Sequence, residues 1–310
     1  MEQTRGFITV ATGREEYYQL AHNLLRSYHC FCPEPLPFAV LCDRENRWTA
    51  DFDDVVIFPD GATNTYLDKL QLGELLPYDV NIFIDSDCLA FGNLNELFDY
   101  FENADDFSCF GRVLPLDDRS GWFEYQDLGE LQSKVSYVVG LHGGIYFLRR
   151  TEKSSQVLRT ARNLVPDYEK FRFKGKFANP GDEPLVALAM ALHNCHPIPF
   201  GYEAICCYWE YIGRIQVDIS RSRAYVTRGL GKPDEPQRYP VTLLHWGTRY
   251  TRESEYQLQA ALLDLIEQAD PKAAAIRRCK QKFRRKMRAE KHAALCARIK
   301  RKLRRVFKTE

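Results

Sequence analysis

Two carboxylates one residue apart, Asp85 and Asp87, follow directly on the apolar run Val80-Asn81-Ile82-Phe83-Ile84. Such a run reads as a buried strand, and side chains at i and i+2 of an extended chain project to the same side, here at the strand's carboxyl end. Paired hard oxygen ligands at that place suit a divalent cation, Mg²⁺ or Mn²⁺, held against a diphosphate whose charge it neutralises. A plainer reading exists, since D-x-D pairs also occur as solvated loop acids and helix caps, and Asn93 and Asn95 nearby are cap-forming types. A second cluster, His193, Cys195, His196, Cys206 and Cys207, has metal-ligating side chains but matches no common zinc spacing. Buried thiols and helix-end histidines are the better expectation there, as for Cys30 and Cys32.

The elements that would carry the carboxylates follow from hydrophobic spacing. Residues 7–11, 38–42, 55–58 and 80–84 are short β-branched and aromatic runs and read as core strands. Between the first two, Tyr17, Leu20, Ala21, Leu24, Leu25 and Tyr28 fall at helical spacing over residues 15–28, closing a first βαβ unit. Shorter helices are expected over 66–76, ended by Pro77, and over 94–101. Residues 117–136 read as a long loop with one helical turn, its Trp122, Phe123 and Tyr125 following no period. A strand over 144–148, helices over 154–164 and 183–193, a strand over 241–244 and an amphipathic helix over 253–268 complete an α/β chain with a mostly parallel sheet flanked by helices.

Composition narrows the class. The 310 residues are 45% hydrophobic and 27% charged, enough for one large core or two small ones, and exclude a fibrous or disordered chain. The longest apolar run, Leu185 to Leu192, is far below the roughly 20 residues of a membrane span. Residues 1–5 lack the apolar core of a secretory signal, and ten cysteines in a chain of this size fit a reducing compartment, so a cytoplasmic location is expected. The net charge of +1 hides a split: residues 271–310 carry 17 Lys/Arg against 2 acidic residues, a net +15, and residues 1–270 carry −14. A basic tail on an acidic globule is the pattern of a segment that meets an anionic surface.

The order of motifs around the carboxylates resembles that of the retaining glycosyltransferases of the glycogenin and lipopolysaccharide galactosyltransferase type, glycosyltransferase family 8. Val10-Ala11-Thr12 with Tyr17 is similar to the family's first strand and nucleotide-binding turn. Lys69-Leu70 precedes the Asp85-Ser86-Asp87 motif. Leu141-His142-Gly143-Gly144-Ile145-Tyr146-Phe147 is similar to the N-[SAG]-G-V strand, Gly181-Asp182-Glu183-Pro184-Leu185 to the D-Q-x-x-L helix start, and Leu244-His245-Trp246-Gly247 to the H-F-x-G element. The likeness spans about residues 7–252 and implies a GT-A, Rossmann-like catalytic domain over residues 1–252.

It further implies that Asp85, Asp87 and His245 bind the metal, His245 favouring Mn²⁺ over Mg²⁺. Val10, Ala11, Thr12, Tyr17, Asp85, Ser86, Gly143, Gly144, Gly247 and Arg249 are implied to bind the nucleotide sugar. Asp182 would orient donor-sugar hydroxyls, Glu183 would lie beside the anomeric carbon, and Lys69 with Arg249 would face the diphosphate. A retaining enzyme of this type needs no separate base, because the departing phosphate oxygen accepts the acceptor's proton. The chain departs from the pattern at three places: His142 stands for the family Asn, Glu183 for the Gln, and the closing lysine is replaced by Arg249 or Arg252. Asp182 also reads as a plain helix cap, and Lys69 as a solvated helix charge.

Residues 253–310 read as a helical region whose basic part, 272–308, is amphipathic. Ile276, Cys279, Phe283, Met287, Leu295, Ile299, Leu303 and Val306 lie three, four or eight apart on one face, with Lys/Arg on the other. That stripe suits an interfacial helix on an anionic membrane. The expectation is a metal-dependent hexosyltransferase using a nucleotide sugar, UDP-linked, on a glycan or glycolipid acceptor at the inner membrane face, with no nucleic acid involved. The alternative is a nucleic-acid-binding protein whose tail binds phosphates and whose α/β domain is a scaffold.

Overall fold

In the computed structural model of the chain, residues 3–59, 61–173, 180–199, 204–227, 238–268 and 273–306 are described. The elements run β1 (Arg5–Ala11), α1 (Glu15–Phe31), β2 (Phe38–Cys42), β3 (Asp54–Ile57), β4 (Val80–Ile84), β5 (Cys88–Ala90), α2 (Leu97–Tyr100), β6 (Phe107–Leu114), β7 (Val138–Arg149), α3 (Glu152–Asn163) and α4 (Asp182–Leu192). After them come β8 (Ile205–Cys207), β9 (Ile215–Asp218), β10 (Arg223–Thr227), β11 (Arg238–Pro240), β12 (Leu243–His245), α5 (Ser254–Ile266) and α6 (Ala273–Val306). They gather into two compact units, Met1–Cys206 with Val241–His245, and Cys207–Pro240 with Trp246–Glu310.

The first unit is built on a six-stranded sheet in the order β3-β2-β1-β4-β7-β6. β1 pairs parallel with β2 and β4, and β2 with β3, whereas β7 is antiparallel to both β4 and β6. Alternation of side chains sends Ile8, Leu41, Phe83 and Tyr146 to one face, where Leu158 of α3 and Val186 of α4 cover them. Phe7, Val40, Ile82 and Phe147 go to the other, against Leu24 and Tyr28 of α1. With both faces covered, β2 and β4 are buried at every position, which is why they appear as unbroken apolar runs. Asn81 is the polar exception in β4. Its amide donates to Tyr78 O at 2.7 Å and accepts from Tyr78 N–H at 3.2 Å, so its burial leaves no unmet hydrogen bond. A smaller sheet, β5-β12-β8, has β12 antiparallel to β5.

Several local expectations change. Residues 85–88 are not extended: Cys88 N–H bonds to Asp85 O at 3.1 Å, so the two carboxylates leave a turn and not a strand edge. The segment over 66–76 is a 3₁₀ helix, Tyr66–Glu74. Within the loop of 117–136, Tyr125–Lys134 holds two 3₁₀ segments kinked at Gly129, and Phe123 and Leu128 are core side chains. β7 starts six residues before the expected strand and carries the glycines with it.

In the second unit, β9, β10 and β11 form an antiparallel sheet, and α5 packs along α6. Trp246 is fully buried, stacked on Tyr208 at 4.4 Å with Tyr256 edge-on at 5.4 Å. The first half of the expected apolar stripe is used inside this unit. Ile276, Cys279, Phe283 and Met287 are half-buried while Arg277, Arg278, Arg284 and Arg285 are exposed. Lys280 reaches Asp218 at 2.6 Å, and Ser254 donates to Glu290 at 2.6 Å, fixing those turns. Residues 269–272 and 307–310, which include both ends of the expected tail of 272–308, lie outside the described residues, as do the side chains of Leu295, Ile299, Leu303 and Val306. No described helix is long and apolar enough to cross a membrane.

Candidate active site

The carboxyl ends of β1 and β4 adjoin, since the two strands are parallel and in register from Arg5↔Val80 to Ile8↔Phe83. The turn after β4 therefore opens beside the turn after β1, at one edge of the sheet. β12 brings His245 to the same turn through its pairing with Cys88.

There His245 Nε2 lies 3.0 Å from Asp87 Oδ1 and 3.8 Å from Asp85 Oδ2. Burial works against charging His245, but Asp87 and then Asp85 outweigh it and hold its pKa above the usual value. Its Nδ1 is 3.2 Å from Nε2 of His142, whose pKa burial and the neighbouring His245 push well below the ordinary range. Asp87 and His245, with Asp85 3.8 Å from the imidazole, offer oxygen and nitrogen donors of the kind a divalent cation takes. Beside it Lys69 Nζ is 2.8 Å from Asp85 Oδ1 and 3.1 Å from Asp182 Oδ2, its side chain only 11% exposed. Lys69 is thus no solvated charge. Burial opposes its charge, and Asp182 and Asp85 raise its pKa against that penalty. Asp85 is shifted upward, by burial foremost, although Lys69 pulls the other way.

Asp182 opens α4, but the residue at the N-cap is Gly181, and no side chain caps that end. The Asp182 carboxylate instead accepts from Lys69 and from Tyr146 Oη at 2.8 Å. Glu183 turns to Gly143, whose N–H donates to Oε1 at 2.6 Å. Burial and the neighbouring Asp182 push the Glu183 carboxyl up to about 7, so near neutrality it is substantially protonated. The glycines at 143 and 144 are needed for this approach. A Cβ at 143 would lie 2.5 Å from Glu183 Cγ, and one at 144 would lie 2.5 Å from His142 Cε1 and 2.7 Å from His245 Nδ1.

The structure brings together Lys69, Asp85, Asp87, Gly143, Gly144, Asp182, Glu183 and His245. Ser86 is half-buried in the turn between the carboxylates. Val10 and Ala11 end β1, and the Thr12 hydroxyl is taken by the buried Asp68 at 2.8 Å, tying that strand end to the 3₁₀ helix that carries Lys69. Tyr17 is half-exposed under the Arg14 guanidinium, while Tyr18 is core and donates to Asp43. Gly247 and Arg249 belong to the second unit, where Arg249 is exposed beside Tyr250. The zinc-like cluster is not gathered as a site among the described contacts: His193 bonds Thr160 at 2.7 Å and His196 bonds Asp105 at 3.0 Å.

Sequence reasoning missed Tyr146, Asp68 and Tyr66. Tyr146 lies within a matched strand motif but reads there as a core aromatic, and its hydroxyl partner is 36 residues away. Tyr66 is 50% exposed, and partial burial foremost and then Tyr17 push its hydroxyl pKa up. The only signal would have been an aromatic three residues before Lys69.

The sequence matches no protein-family model and no curated protein. Solved structures are similar to it. The galactosyltransferase LgtC in complex with donor and acceptor sugar analogues superposes with a TM-score of 0.51 at 13% identity, over 83% of this chain and 95% of that one. An active-site Gln-to-Glu mutant of LgtC has the same score and identity, over 87% and 99%. Mouse xyloside xylosyltransferase 1 is more distant, at a TM-score of 0.46 and 15% identity. At such identities the likeness to the two LgtC structures is one of fold, and the chain has the GT-A fold.

Proposed function

We propose that this chain is a metal-dependent, retaining glycosyltransferase that moves a hexose from a nucleotide sugar, UDP-linked, to a glycan or glycolipid acceptor. The observation that carries the reading is the convergence of Asp87 and His245, 3.0 Å apart, beside the Asp85–Lys69–Asp182 chain at the carboxyl edge of a GT-A sheet. Asp85, Asp87 and His245 would hold Mn²⁺, or Mg²⁺, which when bound supplies positive charge against a diphosphate leaving group.

The chain's own residues do the rest. Lys69 keeps Asp85 and Asp182 in fixed geometry and adds a cation near the leaving group. Asp182, oriented by Lys69 and Tyr146, presents a carboxylate to sugar hydroxyls. Glu183, anchored on Gly143 N–H, offers a neutral carboxyl below about pH 7, which is closer in hydrogen-bonding character to the family's amide than its residue type suggests. No base need be added. As the bond from the anomeric carbon to the phosphate oxygen breaks, that oxygen takes the proton of the acceptor hydroxyl, which bonds to the same face.

The basic C-terminal helix is proposed to hold the enzyme peripherally on an anionic membrane, on its cytoplasmic face, where a lipid-linked acceptor would be found. A screen of nucleotide sugars for Mn²⁺-dependent hydrolysis identifies the donor, and proton NMR of the transferred sugar reads the stereochemistry. An α-glycoside from an α-linked donor is expected. A β product contradicts retention and reopens Asp182 and Glu183 as candidate bases.

A further inference from the structure

The turn that presents Asp87 also presents a thiol. Cys88 closes that turn through its N–H on Asp85 O and then pairs with His245 across β5 and β12. Directly opposite residues of an antiparallel pair send their side chains to one face of the sheet. One ligand atom each of Asp87, Cys88 and His245 accordingly lie within 4.8 Å of one another, and all three residues are buried. Asp85 is committed elsewhere, 2.8 Å from Lys69 Nζ. Zinc-type ions bind carboxylate oxygen, imidazole nitrogen and thiolate sulfur at about 2.0–2.3 Å, so atoms this close need only small movements to share one ion. Thiolate ligands favour such borderline ions and add little for Mn²⁺ or Mg²⁺.

We infer that Asp87, Cys88 and His245 form a second coordination set at this site, one that takes a thiophilic divalent cation such as Zn²⁺ or Co²⁺ while Asp85 stays on Lys69. Binding replaces the S–H bond of Cys88 with a sulfur–metal bond and releases the proton to solvent, with no change of oxidation state. The inference rests on the metal reading of Asp87 and His245 and adds the thiol to it. In consequence the protein binds Zn²⁺ more tightly than Mn²⁺, and the two ions exclude one another.

The test is a Co²⁺ titration of the full chain, followed by absorption. Visible d–d bands report binding, and a near-ultraviolet thiolate-to-cobalt band reports sulfur ligation. The expected result is both bands, displaced by Zn²⁺, with the near-ultraviolet band lost in Cys88→Ser and Co²⁺ affinity lowered at least about tenfold, since even outer-shell partners cost 10–100-fold. Cys88→Ala, which fills less of the same buried space, repeats the measurement should the serine variant fail to fold. Asp87→Asn should weaken both bands. Visible bands without the near-ultraviolet band, or a near-ultraviolet band that survives both Cys88 variants, overturns the inference and leaves the Asp87–His245 site standing. No binding of either Co²⁺ or Mn²⁺ overturns the inference and the metal reading together.

Discussion

Glu183 is where charge and packing oppose each other most directly. Its folded pKa, about 7, lies above that of an unfolded glutamate, so the folded state binds the proton more tightly. That contribution is fully present below about pH 4.5 and is lost as pH rises through 7. Glu183→Gln keeps the acceptor for Gly143 N–H but does not ionise. Thermal melts should therefore show it close to the parent at pH 5 and more stable at pH 8, by on the order of 2 kcal/mol for a group that is not wholly buried. Equal pH profiles would contradict the shift. Lys69 poses the opposite case. Lys69→Met removes the cation shared by Asp85 and Asp182 in a largely buried site, and urea unfolding should show a loss of about 3 kcal/mol or more. Asp182→Leu added to Lys69→Met should recover part of it. Both residues could be named from the sequence, but not the choice among their readings. A helix-start aspartate and a mid-helix lysine have the same local pattern whether they are a cap and a solvated charge or an ion pair 113 residues apart.

At the scale of elements, β7 fixes the site because its glycines let two histidines and a glutamate close over it. Gly144→Ala would force the His142 and His245 rings apart. It should cost about 1–3 kcal/mol in a thermal melt, as overpacking does. It should also lower Mn²⁺ affinity while circular dichroism stays that of the parent. Of the runs read as core strands, β1, β2 and β4 are buried on both faces with only Thr9 and Asn81 breaking their apolar character, whereas β3, expected over 55–58, is a half-exposed strand at the edge of the sheet. β5 has only three residues, and β6 mixes Ser108, Gly111 and Arg112 into its run, so neither carries a period. β9 to β11 are short and half-exposed. The extended D-x-D was misread for the same reason: nothing local to residues 85–88 shows that Cys88 N–H turns back to Asp85. Phe123 belongs to a loop by spacing and to the core by tertiary packing.

At the scale of the whole molecule the charge split and the motif order were legible, whereas the single boundary expected at residue 252 falls inside the second unit, which takes in Cys207–Pro240 and everything from Trp246 on. The grouping of Cys207–Pro240 with the C-terminal helices was not legible, because those contacts join segments far apart in the chain. The structure also changes how the basic tail should be tested. Cutting after residue 270 would uncover α5, so the cleaner variant removes residues 291–310, which hold 8 of the 17 basic side chains. At about 1 kcal/mol for each basic group near an anionic leaflet, removing that segment takes away nearly half of the electrostatic attraction together with the apolar residues Leu295, Ile299, Leu303 and Val306. The shortened chain should stay folded and sediment markedly less with anionic vesicles, and Ile299→Asp with Leu303→Asp should weaken sedimentation even at low salt. Unchanged sedimentation, or displacement from vesicles by duplex DNA, would turn the tail toward nucleic acid. The central claim, however, is that nucleotide-sugar chemistry depends on a cation held at Asp87, and hydrolysis of the preferred nucleotide sugar by the parent and Asp87→Asn tests it most directly. The parent should turn over the donor with Mn²⁺ and stop with chelator, and Asp87→Asn should be inactive with an unchanged thermal melt. Turnover by Asp87→Asn at the parent's rate, or parent activity indifferent to chelator, would contradict it.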